Sequence, residues 1–216
     1  MPDNQEYIYA LKYKWLNKLY DPIVRVTTRE KRFKDTLIKQ ANPHEGQVIL
    51  DVGCGTGTLL IELKKRYPQI KAIGIDGDPA ILQHAKKKAK LARTNVIFHE
   101  GYSNNLPFEN ESLDKIISSL FFHHLKRDDK ISTLKEIYRA LKKGGKLHIA
   151  DFGKPKNALM LALFTTIRWL DSFETTSDNA KGLIPVHMKS VGFNNVTETN
   201  SFSTIYGTIT LYQGVK

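Results

Sequence analysis

The chain has 216 residues, with 33 lysines and arginines against 22 aspartates and glutamates and a formal net charge of +11. That length can bury one sizeable core, and the single cysteine, Cys54, excludes an intramolecular disulfide and any cysteine-rich metal site. The basic excess favours an anionic partner or surface, yet no RNA-binding signature accompanies it.

The N-terminal stretch Tyr7–Tyr20, YIYALKYKWLNKLY, mixes aromatics and lysines at helical spacing. Tyr20-Asp21-Pro22 breaks it, and a second helical stretch runs from about Arg29 to Ala41. Then comes VILDVGCGTGTLL, Val48 to Leu60. Its β-branched and apolar start suits a buried parallel strand that Asp51 closes. Glycines at 53, 55 and 57 allow positive φ and remove the Cβ that would hold a ligand away from the main chain. A helix follows from Thr58, its free N–H groups facing the loop.

Lys71–Asp76 reads as a second strand, and Asp78-Pro79 as the cap and first residue of the next helix. An acid ending a second strand is suited to accept from both ribose hydroxyls of a nucleotide, so Asp76 is the expected ribose ligand; capping is its bland alternative. Asn95–His99 and Asp114–Leu120 read as strands three and four, and Lys130–Lys143 as an amphipathic helix stopped by glycine. Gly144-Gly145 leads into a fifth strand ending at Asp151. Ala158–Leu170 is strongly apolar but holds Arg168 and is too short to span a bilayer; a core helix, a lid over an apolar substrate and a lipid-touching surface are its three readings. A helix through Val191 and two β-rich runs, 196–201 and 204–212, close the chain. Alternation of strand and helix predicts an α/β sheet covered on both faces.

The turn is GxGxG after an acid, with Thr58 where the dinucleotide fingerprint has its third glycine. With Asp76, LPFENESLDKIISSLFFHHL and EIYRALKKGGKLHIADF, it resembles the class I S-adenosylmethionine-dependent methyltransferases over about residues 45–152, and is most similar to their ubiquinone and menaquinone biosynthesis branch. The resemblance implies a Rossmann-like doubly wound sheet, mostly parallel with an antiparallel last strand. It implies a single domain over 1–216: an N-terminal helical cap (1–44), a cofactor core (45–152), a helical lid insertion (153–181) and a C-terminal helix with strands (182–216). It places S-adenosylmethionine, with S-adenosylhomocysteine as product, against Asp51, Gly53, Cys54, Gly55, Gly57, Asp76, Gly77 and Ser119, and Tyr20 on the methionine carboxylate. Cys54 reads as a small residue tolerated in a crowded loop. One position departs from the pattern: where the family commonly has an acid contacting adenine, this chain has Tyr102-Ser103. Adenine is then left to the backbone there, the Ser103 hydroxyl or ring stacking, or the acid's work is missing.

A sulfonium methyl needs mainly alignment and a deprotonated acceptor. His123 and His124 after strand four, and Asp151 ending strand five, are the candidate catalytic residues, at the edge where open α/β sheets bind ligands; packing or loop roles are the alternative for the histidines. The sequence has no Asn/Asp-Pro-Pro-aromatic motif at 118–122, which disfavours a nucleic-acid base as acceptor. A small, apolar or quinone-like acceptor is expected, with peripheral contact to anionic membrane as a further option and no metal. RNA or protein methylation, and a cofactor-binding regulator without catalysis, are the alternatives. Met1–Glu6 is polar, so a cytosolic address without a signal peptide is expected.

Overall fold

The computed structural model describes residues 30–216. Its elements in chain order are α1 (Glu30–Ala41), β1 (Val48–Val52), α2 (Thr58–Arg66), β2 (Lys71–Asp76), α3 (Pro79–Leu91), β3 (Val96–Glu100) and β4 (Leu113–Ser119). A 3₁₀ turn (Phe122–His124) leads to α4 (Arg127–Ala140), β5 (Leu141–Phe152), α5 (Ala158–Asp171), α6 (Phe173–Lys181), α7 (Ile184–Val191), β6 (Asn194–Thr204) and β7 (Gly207–Val215). The strands form one seven-stranded sheet in the order β3-β2-β1-β4-β5-β7-β6. The first five are parallel, and β7 runs antiparallel between β5 and β6.

Period-two alternation sorts the strand side chains onto two cores. Ile49, Ala72, Ala150 and Phe152 join α1, α2 and Phe164 of α5 on one face. Leu50, Val52, Ile73, Ile75, Leu147 and Ile149 join Leu134 and Ile137 of α4 and Ile184 and Met188 of α7 on the other. The helix after β1 and the helix after β4 therefore lie on opposite faces. Because β1 and β4 are neighbours, the crevice beyond their carboxyl ends is the topological switch point, where such sheets bind ligands.

The helix expected through Lys143 ends at Ala140 instead, so Lys142 and Lys143 lie on β5 and not on a helix. Strand pairing overrides helical periodicity there: Leu141 pairs with Leu113, and the register then shifts to Lys115 with Lys146. Gly144 at φ 75 makes this irregular start, and its N–H bonds the Lys216 carbonyl at 3.0 Å. Asp78 caps α3 as expected, accepting from Ala80 and Ile81 N–H with Pro79 in the first turn. The closing hairpin turns at Ile205-Tyr206, so its strands are longer than their β-rich runs suggest. No helix among the described residues is long and apolar enough to cross a membrane.

Candidate active site

The glycine turn is shaped from both sides. Gly53 and Cys54 N–H both donate to the Ile75 carbonyl, at 3.0 and 3.1 Å, and Gly57 N–H donates to the Cys54 carbonyl at 2.9 Å. Gly53, Gly55 and Gly57 take φ of 69, 52 and 72, which only glycine adopts freely. Their reasons differ. A Cβ on Gly53 would lie 2.2 Å from the Phe121 ring, and one on Gly57 would lie 2.8 Å from Phe98. A Cβ on Gly55 would meet nothing within 4 Å, so Gly55 is the glycine whose backbone is left accessible.

Asp76 Oδ2 accepts from Gly55 N–H at 2.9 Å and Oδ1 from Asp78 N–H at 3.1 Å. Each oxygen keeps lone-pair capacity beyond that bond. Burial raises its carboxyl pKa, though the backbone donors of Asp78 and Gly55 oppose this. Asp51 is deeper, and burial pushes its carboxyl up to about 8, against the attraction of Lys34. Its Oδ1 and the Ser119 hydroxyl are buried without a hydrogen-bond partner. Two orphaned polar atoms at the ends of β1 and β4 are an exception a folded chain tolerates mainly where something else satisfies them. Cys54 packs against Gly74, and burial holds its thiol well above the ordinary range, so it is no nucleophile.

The loop after β3 is held by α4. Leu106 N–H donates to Glu136 Oε2 at 2.9 Å, and Arg139 donates to the Leu106 and Phe108 carbonyls. The Ser103 hydroxyl is 2.7 Å from that of Thr133, and Tyr102 is 55% exposed. Of the options for adenine, the Ser103 hydroxyl is thus already engaged by Thr133. Glu136 and Arg139 carry no motif signal, and sequence reasoning passes over them. Tyr20 lies outside the described residues.

Beyond β4 the chain turns sharply, with Leu120 at φ 54 and its N–H on the Ala150 carbonyl. Asp151 organises this turn and the 3₁₀ segment after it. Its carboxylate accepts from Phe121, Phe122 and Phe152 N–H at 3.0, 2.7 and 2.7 Å, from Asn179 at 3.3 Å, and meets His123 Nδ1 at 2.7 Å. Fully buried and surrounded by protein donors, it positions the turn and the His123 ring. His123 Nε2 faces Asp171 Oδ2 at 3.6 Å, and His124 Nδ1 faces Asp171 Oδ1 at 3.7 Å. Burial works against a charged His123, but Asp151 and then Asp171 outweigh it and raise the pKa; burial and the neighbouring His123 hold His124 well below the ordinary range. Asp171, the last residue of α5, is the member of this cluster that sequence reasoning misses. Nothing local marks it, because its partners lie 47 and 48 positions away.

α5 lies half in the core. Asn157 caps it through Met160 N–H, and Phe164 is buried and stacked on Phe152 at 4.8 Å. Leu159, Leu161 and Trp169 are exposed. The segment is thus a core helix on one side and an apolar surface on the other.

Residues 49–145 match the family model described as "Methyltransferase domain". The chain is 32% identical over 147 residues to a demethylmenaquinone methyltransferase of Deinococcus radiodurans, covering 67% of this chain and 60% of that one. It is 30% identical over 154 residues to one of Lactobacillus johnsonii, covering 70% and 60%. The chain thus spans about three fifths of the length of these curated relatives. Among solved structures it resembles a SAM-dependent methyltransferase of Aquifex aeolicus, with a TM-score of 0.67, 20% identity, and 94% and 97% of the two chains covered. It also resembles the cyclase SpnF, at a TM-score of 0.71 and 17% identity over 86% and 80%, so this fold by itself does not dictate methyl transfer. Residues 49–145 thus carry the methyltransferase-domain pattern, and fold, matched core and curated relatives together show that the chain resembles the class I S-adenosylmethionine-dependent methyltransferases and, among them, the demethylmenaquinone methyltransferases.

Proposed function

We propose that the protein transfers a methyl group from S-adenosylmethionine to a small, apolar or quinone-like acceptor. The observation that carries this reading is the pair of orphaned buried atoms, Asp51 Oδ1 and Ser119 Oγ, toward the carboxyl ends of the neighbouring strands β1 and β4 at the switch point, where the glycine turn begins. They suit a ligand rich in hydroxyls and bearing an ammonium group. When bound, that ligand supplies a methyl on a cationic sulfur, activated for in-line displacement.

The chain's own residues do the rest. Asp76 accepts from the ribose hydroxyls with the lone pairs its backbone contacts leave. Asp51 and Ser119 satisfy the polar amino-acid end, while Gly53, Cys54, Gly57 and Gly77 shape the turn. Tyr102 and the Ser103 backbone border the adenine. Tyr20 is assigned to the methionine carboxylate by resemblance alone. Asp151 is a positioning residue for His123, and the His123 and His124 imidazoles, which share Asp171, are the groups assigned to meet an acceptor's proton or oxygen. The exposed apolar face of α5 supports a lipophilic acceptor or contact with anionic membrane. Demethylmenaquinone, named in the relatives, fits that class.

Isothermal titration with S-adenosylhomocysteine tests the donor site: the wild type binds, and Asp76→Ala loses at least about tenfold in affinity, since hydrogen bonds to a charged group contribute about 1.5–3 kcal/mol. A wild type that does not bind sinks the assignment. Transfer of labelled methyl into lipid, RNA and protein extracts tests the acceptor. Incorporation only into RNA or protein overturns the acceptor class, and tight binding without any turnover overturns catalysis.

A further inference from the structure

We propose that His123 Nε2, His124 Nδ1 and Asp171 form a binding site for one divalent first-row transition-metal ion of the Zn²⁺ or Mn²⁺ type, with Asp151 as the outer carboxylate that orients His123. This departs from the sequence expectation of no metal, which rested on the lack of cysteine-histidine spacing.

The geometry has three independent parts. First, the three donor atoms lie within 4.8 Å of one another. His123 Nε2 lies 3.6 Å from Asp171 Oδ2 and His124 Nδ1 3.7 Å from Asp171 Oδ1, two oxygens of one carboxylate, and each separation is near the roughly 3.4 Å between ligand atoms of a tetrahedral ion bound at about 2.1 Å. Second, the donors come from two elements far apart in the chain, the 3₁₀ turn and the end of α5, which the fold brings together. Third, His123 Nδ1 is 2.7 Å from Asp151, a carboxylate fixed by three backbone N–H groups and Asn179. An imidazole that gives one N–H to a carboxylate turns its other nitrogen outward as a lone pair, the usual outer-shell arrangement of a metal-binding histidine.

An ion pair alone accounts for His123 but not for His124. The two rings lie 4.0 Å apart, tilted by 42°, so a second protonated imidazole would repel the first. Yet both rings address the same carboxylate. One cation shared among them satisfies both nitrogens and Asp171. The charge of Lys130 reaches the cluster, but its Nζ is bonded to the Leu125 and Thr175 carbonyls, and two carboxylates stand against it. Two imidazoles and one carboxylate select transition ions over magnesium or calcium, which prefer oxygen ligands alone. Three protein ligands also leave coordination positions for water or an acceptor oxygen.

The test uses the full chain, stripped with chelator and titrated with Zn²⁺ and Mn²⁺, with Co²⁺ as a visible-absorption probe. One equivalent binds, with the d–d absorption of nitrogen and oxygen ligation. Asp171→Asn and His124→Gln each weaken binding by at least about 100-fold, and Asp151→Asn by about 10- to 100-fold, the range for outer-shell partners. Circular dichroism verifies that each variant folds. Should a variant not fold, the imidazole ¹⁵N resonances of the wild type decide, with those of His123 and His124 moving on metal addition. Absence of stoichiometric binding overturns the proposal. So does binding that survives both ligand variants, or imidazole shifts confined to other histidines. The site does not rest on the methyl-donor assignment, and S-adenosylhomocysteine binding, read separately, distinguishes failure of one from failure of the other.

Discussion

At the residue scale the three glycines of the turn look equivalent in the sequence and are not. Gly53→Ala drives a Cβ into Phe121 at positive φ, so a loss of about 2–4 kcal/mol in urea unfolding is expected, combining backbone strain with overpacking. Gly55→Ala meets open space and should cost only about 1 kcal/mol, while its main effect falls on S-adenosylhomocysteine affinity. Equal stability losses in the two variants contradict this division. Asp51 gives a pH signature. Its carboxyl is raised to about 8 in the folded chain by burial, above the unfolded value of about 4. The folded state therefore holds the proton longer, so this contribution to stability is full below about pH 4 and is lost as pH rises toward 8, with a limiting slope of about 1.4 kcal/mol per unit. Asp51→Asn should flatten that slope in denaturation series run across the window. The positions of Asp51, Asp76 and the glycines were legible in the sequence because strand ends and tight turns leave local marks. Their separate duties were not, since Phe98 of β3 and Phe121 of the turn after β4 reach the glycines from distant parts of the chain.

At the element scale, the segment from α4 to α6 shows where periodicity gives way to pairing. Apolar spacing carried the α4 pattern to Lys143, but Leu141 found a strand partner and the helix stopped at Ala140. α4 is tied to α6 by Lys130, which is fully buried, its ammonium brought down to about 8 by burial and bonded to the Leu125 and Thr175 carbonyls. Lys130→Met keeps the aliphatic stem and removes the donor, leaving those carbonyls unpaired. A loss of about 2 kcal/mol in chemical denaturation is expected; an unchanged midpoint would show that water replaces the amine. Arg127 and His187 add a second tie, both meeting Asp178, so α4, α6 and α7 share one carboxylate. That knot holds α6 against the turn carrying His123 and His124. No spacing rule reveals it, because its members are polar residues scattered over sixty positions.

At the scale of the whole molecule, one sheet with a core on each face makes ligand binding and global stability a single linked quantity. S-adenosylhomocysteine at one hundred times its dissociation constant should add about 2.7 kcal/mol, raising the melting temperature by roughly 5–10 °C for a chain of this length. The Asp76→Ala variant should show little of that rise. A wild-type melting curve indifferent to the ligand would remove the donor site from the switch point. The sequence by itself determined the strand-helix alternation, the glycine turn, the acids ending β1 and β2 and the cap of α3, because each depends on backbone preferences within a few residues. Only the tertiary structure decided which polar atoms at the switch point lack partners, that Asp151 folds the turn after β4, and that Asp171 meets the two histidines. Those facts depend on contacts between residues tens of positions apart, and the packing of the sheet, with no local signal, brings them together.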